Sequence, residues 1–234
     1  MKPYLIGIAG PSCAGKSYLS THLALHLNAA KLNLDSYYSD LRHISLEQRA
    51  RFNFDAPEAL DSILLVEHVR QLSRGEAIEK PVYDFKTHSR TGRTERLEAR
   101  EFIVIEGLFA LYWEEIRAIE QTKVFVDLGE EICLARRIER DMRERGRTRE
   151  SVLEQFATTV RPMAQRYVHP TRQYADVVLT GDAEIGRGVE QVLKHIRGVA
   201  GREQPIGIGG AVARSPLPHH RTCGSASGGS DGLS

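Results

Sequence analysis

The stretch Tyr4-Leu5-Ile6-Gly7-Ile8-Ala9-Gly10-Pro11-Ser12-Cys13-Ala14-Gly15-Lys16-Ser17 decides the fold. Its first six residues, YLIGIA, form a continuous apolar run, as expected of a strand covered on both faces in a parallel sheet. Gly10 to Ser17 then match G-x-x-x-x-G-K-[ST], the phosphate-binding loop, in the strand-to-helix setting the motif requires. Leu19, Leu23 and Leu27 follow on one helical stripe. In such a loop the backbone curls so that its N–H groups point at phosphate oxygens, and the positive end of the following helix adds to their pull. The expected nucleotide site is therefore Gly10, Pro11, Ser12, Cys13, Ala14, Gly15, Lys16 and Ser17. Lys16 would reach the β- and γ-phosphates and Ser17 would bind Mg²⁺. The bland alternative is a Gly-rich connection that merely turns a strand into a helix.

Outward from this unit, Lys31 to Leu34 is a short candidate strand ending at Asp35. Pro57 to Arg74 reads as one helix, with Pro57 in its first turn and Gly75 beyond its end. Apolar runs at Phe102 to Ile105, Val124 to Val126 and Val177 to Leu179 read as further strands. Buried-type strands alternating with helices predict an α/β doubly wound parallel sheet whose ligands bind beyond the carboxyl ends of the strands. Two stretches break the alternation: the polar, turn-rich Lys80 to Arg96, and an arginine-dense helix from Arg136 to Arg147. Both read as insertions on the substrate side, the first hairpin-like and the second a lid.

The 234 residues suit one catalytic domain, expected over 1–200. The stretch 201–234, rich in Gly, Ser and Pro and without periodicity, is expected to be a disordered tail. Lysine and arginine total 32 against 31 acids, so net charge argues against nucleic acid or an anionic membrane as the main partner. Cys13, Cys133 and Cys223 lack metal or disulfide spacing, which fits a reducing compartment. The short apolar start leads directly into a loop rather than a cleavage site, and the expected location is the cytoplasm.

Phosphoryl transfer needs carboxylates for Mg²⁺ and usually one to take the proton of the attacking hydroxyl. Glu106 ends FIVIE, Asp127 ends VFVD, and Asp35 follows the short second strand beside Ser36, Tyr37 and Tyr38. Spacing alone leaves all three open, since each could equally be an N-cap, a solvated loop acid or an Asx turn.

Several segments together resemble the uridine kinase family, within the group that includes phosphoribulokinase. They are LDSYY (34–38), NFDAPEALD (53–61), PVYDFKTHSR (81–90), IEGLFALY (105–112), RDMRERGR (140–147) and YADVVL (174–179). The resemblance implies ATP-dependent phosphorylation of uridine or cytidine at the ribose 5′-hydroxyl, a pyrimidine-salvage reaction, with ATP and Mg²⁺ as cofactors. It makes Asp35 the general base and places it beside the metal with Ser17 and Glu106, ranking Glu106 above Asp127. Asp55 would bind the ribose hydroxyls with Phe54 beside it. Tyr83, Phe85 and His88 would hold the pyrimidine, and Gln155, reached by an ungapped count from Gly146, would contact the base. Among the lid arginines, Arg137 would face the substrate, Arg140 and Arg145 the transferring phosphate and Arg147 the ATP, while Arg136, Arg143 and Arg149 read as surface. By the same analogy the chain can form a homo-oligomer.

Two features depart from the resemblance. Pro11 stands where a small flexible residue is expected, and the segment between the first helix and Asp35 is short. Two other readings compete: a related kinase of another small alcohol, such as a phosphoribulokinase-like or pantothenate kinase-like enzyme, and a nucleotide-binding regulator with little turnover. NFD-x-P and PVYDF-x-THSR argue against the first, and Asp35 against the second.

Overall fold

The computed structural model describes residues 2–203. Tyr4–Ala9 forms strand β1, in which Leu5 and Ala9 turn to one face and Ile6 and Ile8 to the other, all fully buried. Helix α1 (Lys16–Leu27), strand β2 (Ala30–Asn33), and helices α2 (Leu46–Ala50) and α3 (Ser62–Ser73) follow. Next come β3 (Ile78–Asp84), β4 (Ser89–Leu97), β5 (Phe102–Glu106), α4 (Glu114–Arg117) and β6 (Thr122–Asp127). Helices α5 (Glu130–Arg145), α6 (Arg149–Gln155) and α7 (Arg161–Met163), strand β7 (Val177–Thr180) and helix α8 (Ile185–Glu203) complete the order.

Five strands form one parallel sheet in the order β2-β5-β1-β6-β7. Leu65, Val69 and Leu72 of α3 cover Leu5, Leu32 and Ile103 on one face. On the other, the Leu19, Leu23 and Leu27 stripe of α1 packs with Val189, Val192 and Ile196 of α8 over Ile6, Ile8 and Val104. With helices on both faces, the strand ends carry the ligand site. The stretch expected as an insertion is a separate antiparallel hairpin, β3 with β4, whose register shifts between Pro81 and Tyr83.

Four boundaries differ from the sequence expectation. Leu34 does not extend the second strand; it opens a 3₁₀ turn, Leu34–Tyr37, capped where the Asn33 side chain accepts from the Asp35 N–H at 2.8 Å. The helix expected over 57–74 is two pieces, a 3₁₀ turn at Pro57–Ala59 and then α3. Leu60 is extended and bridges Tyr38, and Asp61 caps α3 by accepting from the Leu64 N–H. The arginine-dense helix starts earlier, at Glu130, and ends at Arg145, with Gly146 as its C-cap. Helix α8 runs through the expected boundary at 200, and the Gly/Ser/Pro-rich stretch from 204 lies outside the described residues.

One buried acid stands apart from the ligand side. Glu120 is 5% exposed, neither carboxylate oxygen has a partner among the described residues, and the group lies against Gly7, where an added Cβ would fall 2.3 Å from Oε1. Burial pushes its carboxyl up to about 8. Across the window from the ordinary glutamate value to about 8, the folded chain keeps a proton that the unfolded chain has lost, so stability falls as pH rises. Glu120→Gln should flatten that dependence by on the order of a few kcal/mol, seen as ~5 °C or more of relative gain in Tm between pH 5 and pH 8.5. Parallel Tm profiles for the two proteins would show that Glu120 does not titrate in this way.

Candidate active site

The phosphate-binding loop runs from the end of β1 into α1, whose first turn carries no acid to oppose an incoming anion. Gly10 is obligatory: an added Cβ would lie 2.2 Å from the Val126 carbonyl oxygen. Pro11 is accommodated because its part is that of an acceptor, its carbonyl taking the Ala14 N–H at 3.2 Å and the Lys16 ammonium at 2.8 Å. Lys16 is buried, which holds its ammonium below the ordinary lysine range, against the pull of Glu106 and Asp35.

The register of β2 with β5 sets Asn33 beside Glu106, so the 3₁₀ turn carrying Asp35 opens next to the end of β5. Glu106 is 2% exposed and accepts from the Ser17 hydroxyl through both oxygens, at 3.1 and 3.2 Å. Burial, and after it the Glu106 carboxylate, push the Asp35 carboxyl up to about 6, while Lys16, Arg145 and Arg140 oppose the rise. Ser17, Glu106, Asp35 and Lys16 therefore form one electrostatic group. Asp127 is not part of it. It pairs with Arg172 at 3.2 Å and lines an open cleft of about 320 Å³ with Leu128, Gly129, Ile132, Thr180 and Asp182.

On the far side of Asp35 lies an aromatic box. Phe54 stacks on His88 with centroids 5.1 Å apart and meets Tyr38 edge-on at 5.3 Å; Tyr83 in turn packs on Tyr38 and Phe85. The Tyr83 hydroxyl is buried without a hydrogen-bond partner among the described residues, and burial, then Asp35, raise its ionisation point. Burial, then Arg145 and Arg147, hold the His88 imidazole below its ordinary value, which keeps it neutral and able to donate and accept. Asp55, 7% exposed, is raised by burial while Arg137, Arg145 and Arg140 pull it back.

Helix α5 and the turn after it bring four arginines to this side of the site. Arg137 donates to the Ser12 hydroxyl at 3.0 Å and to Gln155 Oε1 at 3.1 Å, and Arg147 also donates to Gln155. Arg145 lies over the Phe85 ring at 5.8 Å. Arg137, Arg140, Arg145 and Arg147 stand 3.6, 2.8, 3.6 and 3.9 Å from the carboxylate of Asp141. The family description "Phosphoribulokinase / Uridine kinase family" matches residues 5–183 of this chain. The chain belongs to that family.

A uridine kinase of Chloroflexus aurantiacus is 42% identical over 197 residues, covering 83% of this chain and 94% of the relative. One of Halalkalibacterium halodurans is 39% identical over 201 residues, 85% of this chain and 95% of its own length. The structure of phosphoribulokinase from Rhodobacter spheroides superposes with a TM-score of 0.57 at 16% identity, covering 78% of this chain and 73% of that one, a likeness of fold. As a member of the phosphoribulokinase/uridine kinase family the chain is a phosphotransferase. No helix among the described residues is long and apolar enough to cross a membrane.

Of the expected site residues, Lys16, Glu106, Arg140, Arg145 and Tyr83 act on or lie in the field of Asp35, while Arg137 links Ser12 of the phosphate loop to Gln155, which Arg147 also reaches. Two arginines that sequence reasoning passed over also belong here. Arg136, read as surface, donates to the Gly181 carbonyl at 3.1 Å and the Cys13 carbonyl at 3.4 Å, tying the lid helix to the phosphate loop and to the turn after β7. Arg90, the last residue of THSR, donates to the Tyr38 and Tyr37 carbonyls at 3.0 and 3.2 Å and pairs with Asp61, fixing the hairpin to the turn that bears Asp35. Arg143 behaves as expected of a surface residue, exposed and paired with Glu139 and Glu144.

Proposed function

We propose that this chain transfers the γ-phosphate of ATP to the 5′-hydroxyl of uridine, and of cytidine, giving UMP or CMP. The observation that carries the reading is the place of Asp35: a half-buried carboxylate raised to about 6, with Lys16 of the phosphate loop and Glu106 at the end of β5 on one side and the Asp55, Phe54, Tyr83 and His88 box on the other. The relatives named uridine kinase support it at 42% and 39% identity.

In this reading the loop N–H groups and Lys16 hold the β- and γ-phosphates. The open cleft beside Asp127 and Asp182 takes the base of ATP. Asp55 accepts from the ribose hydroxyls, the aromatic box stacks on the pyrimidine, and His88, Gln155 and Arg137 hydrogen-bond its edge. Asp35 takes the proton of the 5′-hydroxyl as that oxygen attacks the γ-phosphorus and the bond to the β-γ bridging oxygen breaks. Arg140 and Arg145 stabilise the charge on the transferring group, and the closed lid excludes water that would otherwise hydrolyse ATP.

Ser17 Oγ, Glu106 and Asp35 are hard oxygen donors and fit Mg²⁺, an ion that completes its shell with water and phosphate rather than a full protein cage. When bound, magnesium would neutralise phosphate charge and fix the geometry of the β- and γ-oxygens. The test is product formation from ATP and Mg²⁺ with uridine, cytidine, adenosine, ribulose 5-phosphate and pantothenate, resolved by chromatography. UMP and CMP are the expected products. Phosphorylation of one of the other acceptors in their place would discard the pyrimidine-nucleoside assignment, and binding of ATP without any product would favour a regulator.

A further inference from the structure

Helix α5 buries an acid that a solvated helix face would leave in water. Asp141 is 0% exposed, although Glu139 and Glu144 on the same helix are largely exposed. Positions 137, 141 and 145 follow one another at turn spacing on one helix face. Beyond the C-cap the chain folds back, so that the Arg147 N–H donates to the Asp141 carbonyl at 3.2 Å and brings the Arg147 guanidinium to the same carboxylate. Four guanidinium groups gathered in one place repel each other, and Asp141 is the counter-charge at their centre.

The array that Asp141 holds is the one that faces the acceptor. Arg140 and Arg145 act on Asp35, and Arg137, Arg145 and Arg140 act on Asp55. Arg137 also reaches the phosphate loop at Ser12 and the base-side Gln155. One pair within the cluster has room to shorten: Arg137 Nε and Asp141 Oδ2 stand 3.6 Å apart, both buried and neither hydrogen-bonded.

We propose that Asp141 is a positioning residue for phosphoryl transfer, holding the four lid arginines in one array around the acceptor and the γ-phosphate while touching neither. This rests on the kinase reading. Asp141→Asn removes the counter-charge at nearly constant shape, so kcat for uridine should fall about 30-fold or more, the scale expected when positioned groups move by around an ångström. The ATP dissociation constant, measured by calorimetry, should stay within about threefold or tighten, because the site has lost a negative charge rather than a positive one. Asp141→Glu keeps the charge and should recover part of the lost kcat.

The proposal is overturned if the asparagine variant turns over within about threefold of wild type, or if its ATP affinity falls about tenfold or more, or if glutamate is no better than asparagine. Should the asparagine variant fail to fold, the glutamate variant decides: reduced kcat at unchanged ATP affinity supports the role, and wild-type kcat overturns it. A wild type inactive on every acceptor would fail the kinase reading instead, and the ATP affinities of the two proteins would still test Asp141.

Discussion

Asp35→Asn is expected to lower kcat for uridine by about 10³-fold, or ~4 kcal/mol of transition-state stabilisation, the scale of a lost general base. Asparagine keeps the shape of the side chain and its place in the 3₁₀ turn, where the cap is made by the backbone N–H and so survives the change. It removes a carboxylate that burial and Glu106 already disfavour, so the variant should fold at least as stably as wild type. ATP affinity should change little, because Lys16 and the loop remain. Turnover within tenfold of wild type would remove Asp35 as the base. The pH profile offers an independent check. A base must be unprotonated, so kcat/KM for uridine should fall as pH drops through about 6, the value to which Asp35 is raised. The asparagine variant should lack that acidic limb.

Lys16→Met should cost about 10²–10³-fold in kcat/KM for ATP, the scale of one positioned charge lost from a transition state. Methionine fills the same buried channel without an ammonium that burial already disfavours, so the fold should not suffer. Lys16 is also the first of the cations that hold Asp35 down against burial and Glu106. The residual activity should therefore show its acidic limb at a higher pH than wild type. A variant with low activity and an unmoved limb would mean that Lys16 does not act on Asp35 as the geometry implies.

Much of this site was legible because its parts are short and local. Gly10 to Ser17 carry their meaning in eight consecutive residues, and Glu106 ends an unbroken apolar run. Asp55, Tyr83 and His88 were reached through segments resembling a known family, and Gln155 by a count of residues from one of them. Other features depend on what the chain meets after folding. Arg136 contacts Gly181, 45 residues away, and Arg90 contacts Tyr38, 52 residues away, so neither declares itself in its own segment. Asp141 sits in an alternation of acids and arginines that reads equally well as a solvated face. Only the return of the chain after Gly146 and the packing of α5 on the phosphate loop make it central. The split of the expected 57–74 helix has a similar cause, since Leu60 is drawn into a bridge with Tyr38 and Asp61 then serves as cap.

The most direct test of the central claim is ³¹P NMR of the wild-type protein with ATP, Mg²⁺ and uridine, run beside 5′-deoxyuridine. The expected products are ADP and a phosphomonoester coupled to the two 5′-protons of the ribose, with no nucleotide formed from the 5′-deoxy compound. A phosphate on another hydroxyl, or no nucleotide product from uridine while a different acceptor is phosphorylated, would contradict it.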